Sequence, residues 1–225
     1  MIVLLALLAA TTPTPIAPDL VRSTARDFAI CATRRHPERA VRFVLDSHGY
    51  MQSRGAFSLF DPMCLTDRRS FRALAGKSQQ YRYSFAEALV LRDYPSGLPM
   101  DLANVALLVH IQPEGEAPKP NKRDDPAKLA EIAASDAKTN AANELISMLG
   151  ECVVRASPVA SHGLLLTAPG STIEGQYIER LSPVAAACIE KGAGISLTKY
   201  SLRGIIALNL YRLAKAPRAA AGATN

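Results

Sequence analysis

The chain has 225 residues, a formal net charge of +6 and a hydrophobic content of 48%, with no tryptophan and only 6% aromatic residues. This length allows one large domain or two of about 100 residues, and the alanine- and leucine-rich composition suits helices better than an all-β sandwich. The positive charge comes with no block of Lys and Arg and no nucleic-acid-binding motif, which argues against a specific nucleic-acid role.

Residues 1–17 are predicted to be a signal peptide. The apolar run MIVLLALLAA is followed by small residues, Thr and Pro, and it is long enough for a signal peptide but too short to span a bilayer. Cleavage is expected after Ala10, with Ala17 as the alternative. No Lys or Arg precedes the run, so a retained N-terminal anchor or a plain frayed tail stays open as the alternative. We therefore expect a periplasmic or secreted protein without a transmembrane segment.

One sequence pattern occurs twice. CATRRHP at 31–37 and CVVRASP at 152–158 share Cys, Arg and Pro at identical spacing, and later anchors follow in the same order. The two copies align with two changes of register, one before the second cysteine and one before the Tyr-Ser pair, as expected for loops of different length. The matched pairs are Cys31/Cys152, Arg34/Arg155, Pro37/Pro158, Leu45/Leu166, Gly49/Gly170, Cys64/Cys188, Tyr83/Tyr200, Ser84/Ser201, Leu91/Leu208 and Tyr94/Tyr211.

This internal duplication predicts the domain organisation. Unit 1 is expected at 18–112 and unit 2 at 127–225, the latter with a disordered C-terminal tail. Between them, the segment 113–126 contains four prolines among charged and polar residues, which is typical of a semi-extended linker.

The helices of unit 1 are predicted from its prolines and capping residues. The stretch 20–36 should be a helix ending before Pro37, because the residue before a proline is disfavoured in the α region. Pro37 then opens a second helix that ends at Gly49. A shorter third helix is expected within 56–67, and Ser84 is the predicted N-cap of the last one.

Unit 2 shows the same signals. Asp125 as N-cap and Pro126 at the first helical position predict a long helix that ends before Pro158. Its apolar face follows helical spacing and comprises Leu129, Ile132, Ala133, Ala137, Ala141, Leu145 and Leu149.

The remaining helices of unit 2 are shorter. A second is expected from Pro158 to Gly170, a third from Ser171 or Thr172 with an interruption at Pro183 left open, and a last with Ser201 as N-cap. The predicted fold class is all-α, with two tandem, pseudo-symmetric small helical bundles of about four helices and one disulfide each.

The four cysteines are predicted to form disulfides, since all belong to the repeated pattern and none lies in a C-x-x-C motif. Pairing within each copy is favoured, Cys31 with Cys64 and Cys152 with Cys188, because cross-copy pairs would require the two units to meet first. Neither metal-ligand spacing nor a close redox pair is present, so no metal and no cofactor are expected.

The sequence identifies no catalytic set. Two S-x-x-K matches, at 135–138 and 196–199, occur at a frequency close to chance and lack companion motifs. The adjacent Ser and His of ASHG and DSHG point in different directions on a helix. The candidate binding residues are the repeated ones, Arg34, Arg155, Tyr94 and Tyr211. The two Arg residues are either helix-end cations or partner contacts, and the two Tyr residues are either packing groups or a ligand-binding aromatic patch.

Taken together, C-x-x-R-x-x-P, a helix ending in Gly, a second Cys and Y-S-[FL] resemble a group of uncharacterised exported bacterial proteins that carry a duplicated paired-Cys helical unit. The resemblance implies export and this fold but no activity. We expect a non-enzymatic binding or scaffolding protein, whose partner is an envelope protein or an anionic envelope polymer. The alternative is an envelope hydrolase or acyltransferase whose site forms only in the fold.

Overall fold

The computed structural model describes residues 17–45, 59–65, 78–98, 102, 104–110, 125–189 and 197–217. These residues contain seven α-helices: α1 Pro18–Arg35, α2 Pro37–Leu45, α3 Ser78–Asp93, α4 Pro126–Ala156, α5 Pro158–Leu166, α6 Thr172–Ala187 and α7 Lys199–Lys215. One short 3₁₀ helix, Pro62–Cys64, lies between α2 and α3. No strand occurs in the described part of the chain, and the predicted all-α class is confirmed.

Prolines set several helix boundaries as predicted. Helix α1 ends at Arg35, one residue short of Pro37, which begins α2. Helix α4 likewise ends one residue short of Pro158, which begins α5. Asp125 caps α4 by accepting a hydrogen bond from the Ala127 N–H, so the predicted start of this helix is confirmed.

Three local predictions were wrong. Ser84 and Ser201 are not N-caps but lie inside their helices, and Thr198 caps α7 by accepting from the Ser201 N–H. Helix α5 ends at Leu166, before the turn in which Gly170 adopts a φ of +80°. The expected third helix of unit 1 is a single 3₁₀ turn within the described residues of that stretch.

The third helix of unit 2 begins as predicted. Ser171 caps α6 through the Glu174 N–H, and Pro183 lies inside the helix without ending it.

A single hydrophobic core contains residues from all seven helices. Helix α3 packs on α7 at its centre, α1 and α2 pack on α3, and α4 and α5 pack on α7. Tyr83 near the start of α3 meets Gly204 near the start of α7, whereas Tyr94 and Tyr211 meet at the other end. The two central helices therefore run in the same direction.

Two disulfides fix the ends of α1 and α4. Cys31 pairs with Cys64 across 33 positions and Cys152 pairs with Cys188 across 36, so the predicted pairing is confirmed. Loops of this size stabilise a fold by about 3–4 kcal/mol in the chain-entropy model.

The first half of α4 has little contact with the rest of the described structure. Of its predicted apolar face only Leu149 is buried, while Ile132 and Leu145 are each 48% exposed. The last two turns of the helix, from Leu149 onward, pack on α7 and α6.

Several predictions fall outside the described residues. They are the signal peptide up to residue 16, the end of the second helix at His48 and Gly49, the linker at 113–124, Ser196 and the tail from 218. Among the helices that are described, none is long and apolar enough to cross a membrane.

Candidate functional site

A cleft opens where the two halves of the chain meet. Helices α1 and α3 form one wall, while α7 and the turn before α6 form the other. Its volume is about 290 Å³, part of which is open to solvent. Three arginines line it, namely Arg22, Arg26 and Arg203.

Arg203 is the most enclosed of these arginines. Its Nη2 donates to Glu87 Oε1 at 2.7 Å and its Nε to Glu87 Oε2 at 3.0 Å, while Nη1 donates to Glu174 Oε1 at 3.0 Å. Further donors reach the Leu164, Leu165 and Thr167 carbonyls. Burial alone would lower the pKa of Arg203, but the hydrogen bonds and charges of Glu87 and Glu174 hold it above its ordinary value.

Glu174 joins α6 to α1 and α7. Its Oε1 contacts both Arg203 and Arg22, and its Oε2 accepts from the Gly170 N–H at 2.7 Å. Gly170 needs its positive φ at this turn, and a Cβ there would also lie 3.0 Å from the side chain of Asp19. The turn therefore places the carboxylate beneath the cleft.

Arg22 and Arg26 each retain an unused donor. Arg26 Nε lies 2.7 Å from Glu87 Oε1, but its N–H does not point at an acceptor, and the buried Nε of Arg22 also lacks one. The side chain of Arg22 is only 9% exposed. Three guanidinium groups thus share two buried carboxylates, and Arg22 also donates to the exposed Asp19 at 2.8 Å. The Nε–H groups of Arg22 and Arg26 are left for a further acceptor.

Hydroxyl groups complete the cleft. Tyr200 at the start of α7 and Ser84 on α3 line it together with Tyr83, and Tyr200 hydrogen-bonds to Ser84. Burial raises the pKa of Tyr200, so its phenol stays neutral and keeps its proton as a hydrogen-bond donor.

Arg155, one of the predicted binding residues, lies elsewhere and binds main-chain atoms. Its Nη1 donates to the Leu102 carbonyl at 2.7 Å and its Nη2 to the Ala106 carbonyl at 2.8 Å, while Nε donates to Glu151 one turn earlier on α4. It therefore holds the segment that contains Leu102 and Ala106 against the helix.

Arg34, its predicted counterpart, lies exposed in the last turn of α1. Its neighbours Arg35 and His36 contact Asp61 instead, at 2.5 and 3.0 Å. The Arg35 hydrogen bond, followed by that from the Met63 N–H, lowers the pKa of Asp61 to about 2. The two repeated arginines thus have different surroundings.

Tyr94 and Tyr211 are brought together, with ring centroids 6.4 Å apart. The Lys215 ammonium lies about 5.5 Å from both ring centres and 3.2 Å from Asp93, which also accepts from the Tyr211 hydroxyl at 3.0 Å. The cation position beside this aromatic pair is therefore occupied by the chain's own lysine.

Sequence reasoning missed the arginine cleft. Arg203 lies within an otherwise apolar stretch, LRGIIALNLY, and a single charge in such a stretch is a sign of a buried ion pair. Glu87 is likewise the one charged residue of an apolar stretch, FAEALVL, and this too indicates a buried ion pair. The pairing of these charges depends on how α1, α3 and α7 cross. The spacing of residues along one helix does not predict which charges on other helices they will meet.

The described residues contain no cluster of three His, Cys, Asp or Glu side chains suited to a metal ion. No protein-family model, curated protein or solved structure matches the chain. The resemblance to exported paired-Cys proteins therefore stays a prediction, and any function has to be argued from the site.

Proposed function

We propose that this chain is an exported binding protein that holds an acidic group of its partner in the arginine cleft. The observation that carries the proposal is that the buried Nε–H of Arg22 has no acceptor, while that of Arg26 lies 2.7 Å from Glu87 Oε1 without pointing at it. A buried donor without an acceptor costs about 1–3 kcal/mol, and a bound carboxylate or phosphate would recover this.

The buried charges favour an anion. Glu87 and Glu174 are the two buried carboxylates, and three arginines share them. The third carboxylate, Asp19, pairs with Arg22 at 2.8 Å but is 63% exposed. Guanidinium groups bind carboxylate and phosphate oxygens through two parallel hydrogen bonds, and burial strengthens the interaction.

The size of the cleft indicates what part of a partner enters it. Pockets for drug-sized ligands range from about 300 to 1,000 Å³, and this cleft encloses far less, because most of its space is open to solvent. It suits one acidic group at the surface of a larger molecule. We therefore propose an acidic side chain of an envelope protein or the repeating anionic group of an envelope polymer as the ligand.

Export is the second part of the proposal. Disulfides persist in oxidising compartments, and all four cysteines of the chain are paired. This agrees with a non-cytoplasmic location, and the signal-peptide pattern at 1–17 would direct the chain to the periplasm or the exterior.

The third part is the internal duplication. Helices α2 and α5 both start at a proline, and both follow a helix that carries a disulfide cysteine. Tyr94 and Tyr211, which are equivalent in the repeat, face each other. Such a contact between equivalent residues is expected where a two-fold axis passes between two copies.

Side-chain NMR of arginine tests the binding site directly. The protein labelled with ¹⁵N-arginine is titrated with inorganic phosphate and, separately, with acetate at constant ionic strength. We expect the Nε–H signals of Arg22 and Arg26 to shift and saturate in at least one titration. Arg26→Gln should abolish saturation.

Arg34→Gln is the matched control, because it removes the same charge from an exposed position of the same helix. It should leave both shifts intact. Equal, non-saturating shifts of all arginine signals, or unchanged binding in Arg26→Gln, would overturn the proposal.

A further inference from the structure

Ser147, His110 and Glu151 form a hydrogen-bonded chain on the face of α4 that meets the segment 104–110. Ser147 Oγ lies 2.8 Å from His110 Nδ1, and His110 Nε2 lies 2.5 Å from Glu151 Oε2. Ser147 and Glu151 are four residues apart on one helix, which places them on the same face. The imidazole bridges the two side chains.

The carboxylate is held in place from two sides. Arg155 Nε donates to Glu151 Oε1 at 2.7 Å, and the Leu108 N–H donates to Glu151 at 3.2–3.3 Å. The side chain of Glu151 is 6% exposed and that of His110 is 11% exposed. Such an enclosed carboxylate fixes the orientation of the ring next to it.

In this orientation His110 can act as a base through Nδ1. When Nε2–H donates to Glu151, Nδ1 carries no proton and accepts the Ser147 hydroxyl hydrogen. A serine activated by a neighbouring base, itself oriented by a third group, is the general arrangement of nucleophilic catalysis. In the serine proteases Nε2 faces the serine and Nδ1 faces the carboxylate, whereas here Nδ1 faces Ser147 and Nε2 faces Glu151. Such sites are recognised by their geometry and by the role of each group, and both are retained.

A cation lies beside the reacting oxygen. Arg212 Nη1 is 3.4 Å from Ser147 Oγ, and its Nη2 donates to the Val109 carbonyl at 2.6 Å. A guanidinium held at this position can donate to an oxyanion that forms next to the serine.

We propose that Ser147 is the nucleophile of an acyl-transfer site for ester or thioester substrates, with His110 as general base. Ser147 Oγ bonds to the carbonyl carbon while its proton passes to His110 Nδ1, and the carbonyl electron pair moves onto oxygen beside Arg212. The intermediate collapses, the C–O or C–S bond breaks, and His110 returns the proton to the leaving group. Water, or an acceptor hydroxyl, then releases the acyl group by the same steps.

Glu151 is a positioning residue in this scheme, since it acts through His110. The site shares no side chain with the arginine cleft, so the two proposals can fail separately.

A fluorophosphonate probe tests for an activated serine. The mature, oxidised protein is treated with the probe, and the adduct is located by mass spectrometry. We expect one adduct, on Ser147, that is absent in Ser147→Ala. His110→Asn should label at least about 100-fold more slowly, as is usual when a general base is lost.

Ser135→Ala is the matched control, because Ser135 is an exposed serine of the same helix. It should label like the wild type, and p-nitrophenyl acetate hydrolysis should follow labelling across all variants. Glu151→Gln should slow labelling and move the midpoint of its pH profile to lower pH, because an imidazolium would then lack the carboxylate that lies 2.5 Å from His110 Nε2.

Folding is checked for each variant by far-UV circular dichroism and by the mass of the disulfide-linked fragments. The proposal is overturned if folded wild-type protein acquires no adduct on Ser147. It is also overturned if folded His110→Asn labels at the wild-type rate.

Discussion

Arg203 and Glu87 form a buried, two-point ion pair between the two central helices, with donor–acceptor distances of 2.7 and 3.0 Å. Their side chains are 4% and 8% exposed. Because α3 and α7 come from different halves of the chain, this pair joins the halves inside the core. Removing one partner would leave a charge that water cannot reach.

Glu87→Ala is therefore expected to be strongly destabilising. Loss of one partner of a buried pair costs about 3–5 kcal/mol, and here the guanidinium of Arg203 would keep only Glu174 as a counter-charge. Urea denaturation measures the free energy of unfolding. Glu38→Ala, an exposed carboxylate on α2, should change it by less than about 0.5 kcal/mol. Equal effects of the two variants would show that the pair does not stabilise the fold.

Gly204 permits the close approach of α3 and α7. A Cβ at this position would lie 2.3 Å from Tyr83 Cδ2 and 2.9 Å from its Cβ, so the ring could not move aside without moving α3. We expect Gly204→Ala to destabilise the protein by about 1–3 kcal/mol. A thermal or urea unfolding midpoint that does not fall would show that the helices can separate without cost.

Gly175 provides the opposite case on α6. Nothing lies within 4 Å of a Cβ built there, and its backbone is helical. Gly175→Ala should raise the free energy of unfolding by up to about 1 kcal/mol, since alanine loses less conformational entropy in a helix. A fall in stability at this position would contradict the open space around Gly175.

Asp61 should make the free energy of unfolding depend on pH in the acid range. Its folded pKa is about 2 because Arg35 and the Met63 N–H favour the charged carboxylate, whereas an unfolded aspartate has a pKa of 3.8. The contribution is fully present above pH 3.8 and is lost as pH falls through 2. Between pH 5 and pH 2 the unfolding midpoint should fall further in the wild type than in Asp61→Asn. Parallel curves for the two proteins would exclude this contribution.

Hydrogen exchange should divide α4 into two parts. The amides of 130–139 lie where almost every described side chain is exposed, whereas Leu149, Val153 and Val154 are buried against the core. We expect the first group to exchange by local opening and the second only at the rate of global unfolding. Equal protection along the whole helix would mean that another surface covers its first half in solution.

Much of the fold could be predicted because its signals are local. Pro37 and Pro158 fix helix boundaries through the conformation of their own backbone, and Asp125 does so through its side-chain cap. The repeated cysteine spacing selected the correct disulfide pairs. The predictions of Ser84 and Ser201 as N-caps were wrong because several residues near a helix start can serve as the cap. In α7 the cap is Thr198, three residues before Ser201.

The sites could not be predicted to the same extent. The repeat singled out Arg155, Tyr94 and Tyr211, and the structure gives each of them a partner within the chain: main-chain carbonyls, a second tyrosine ring and Lys215. Arg34 has the same position in the repeat as Arg155 but lies exposed, since identical spacing does not impose identical neighbours.

By itself the sequence determined the helical class, most helix boundaries and the covalent framework, because propensity, proline geometry and cysteine spacing act within one segment. Only the tertiary structure decided that Arg22, Arg26 and Arg203 share a cleft and that Ser147 meets His110. These groups come from segments that are distant in sequence, and their distances depend on how the helices cross.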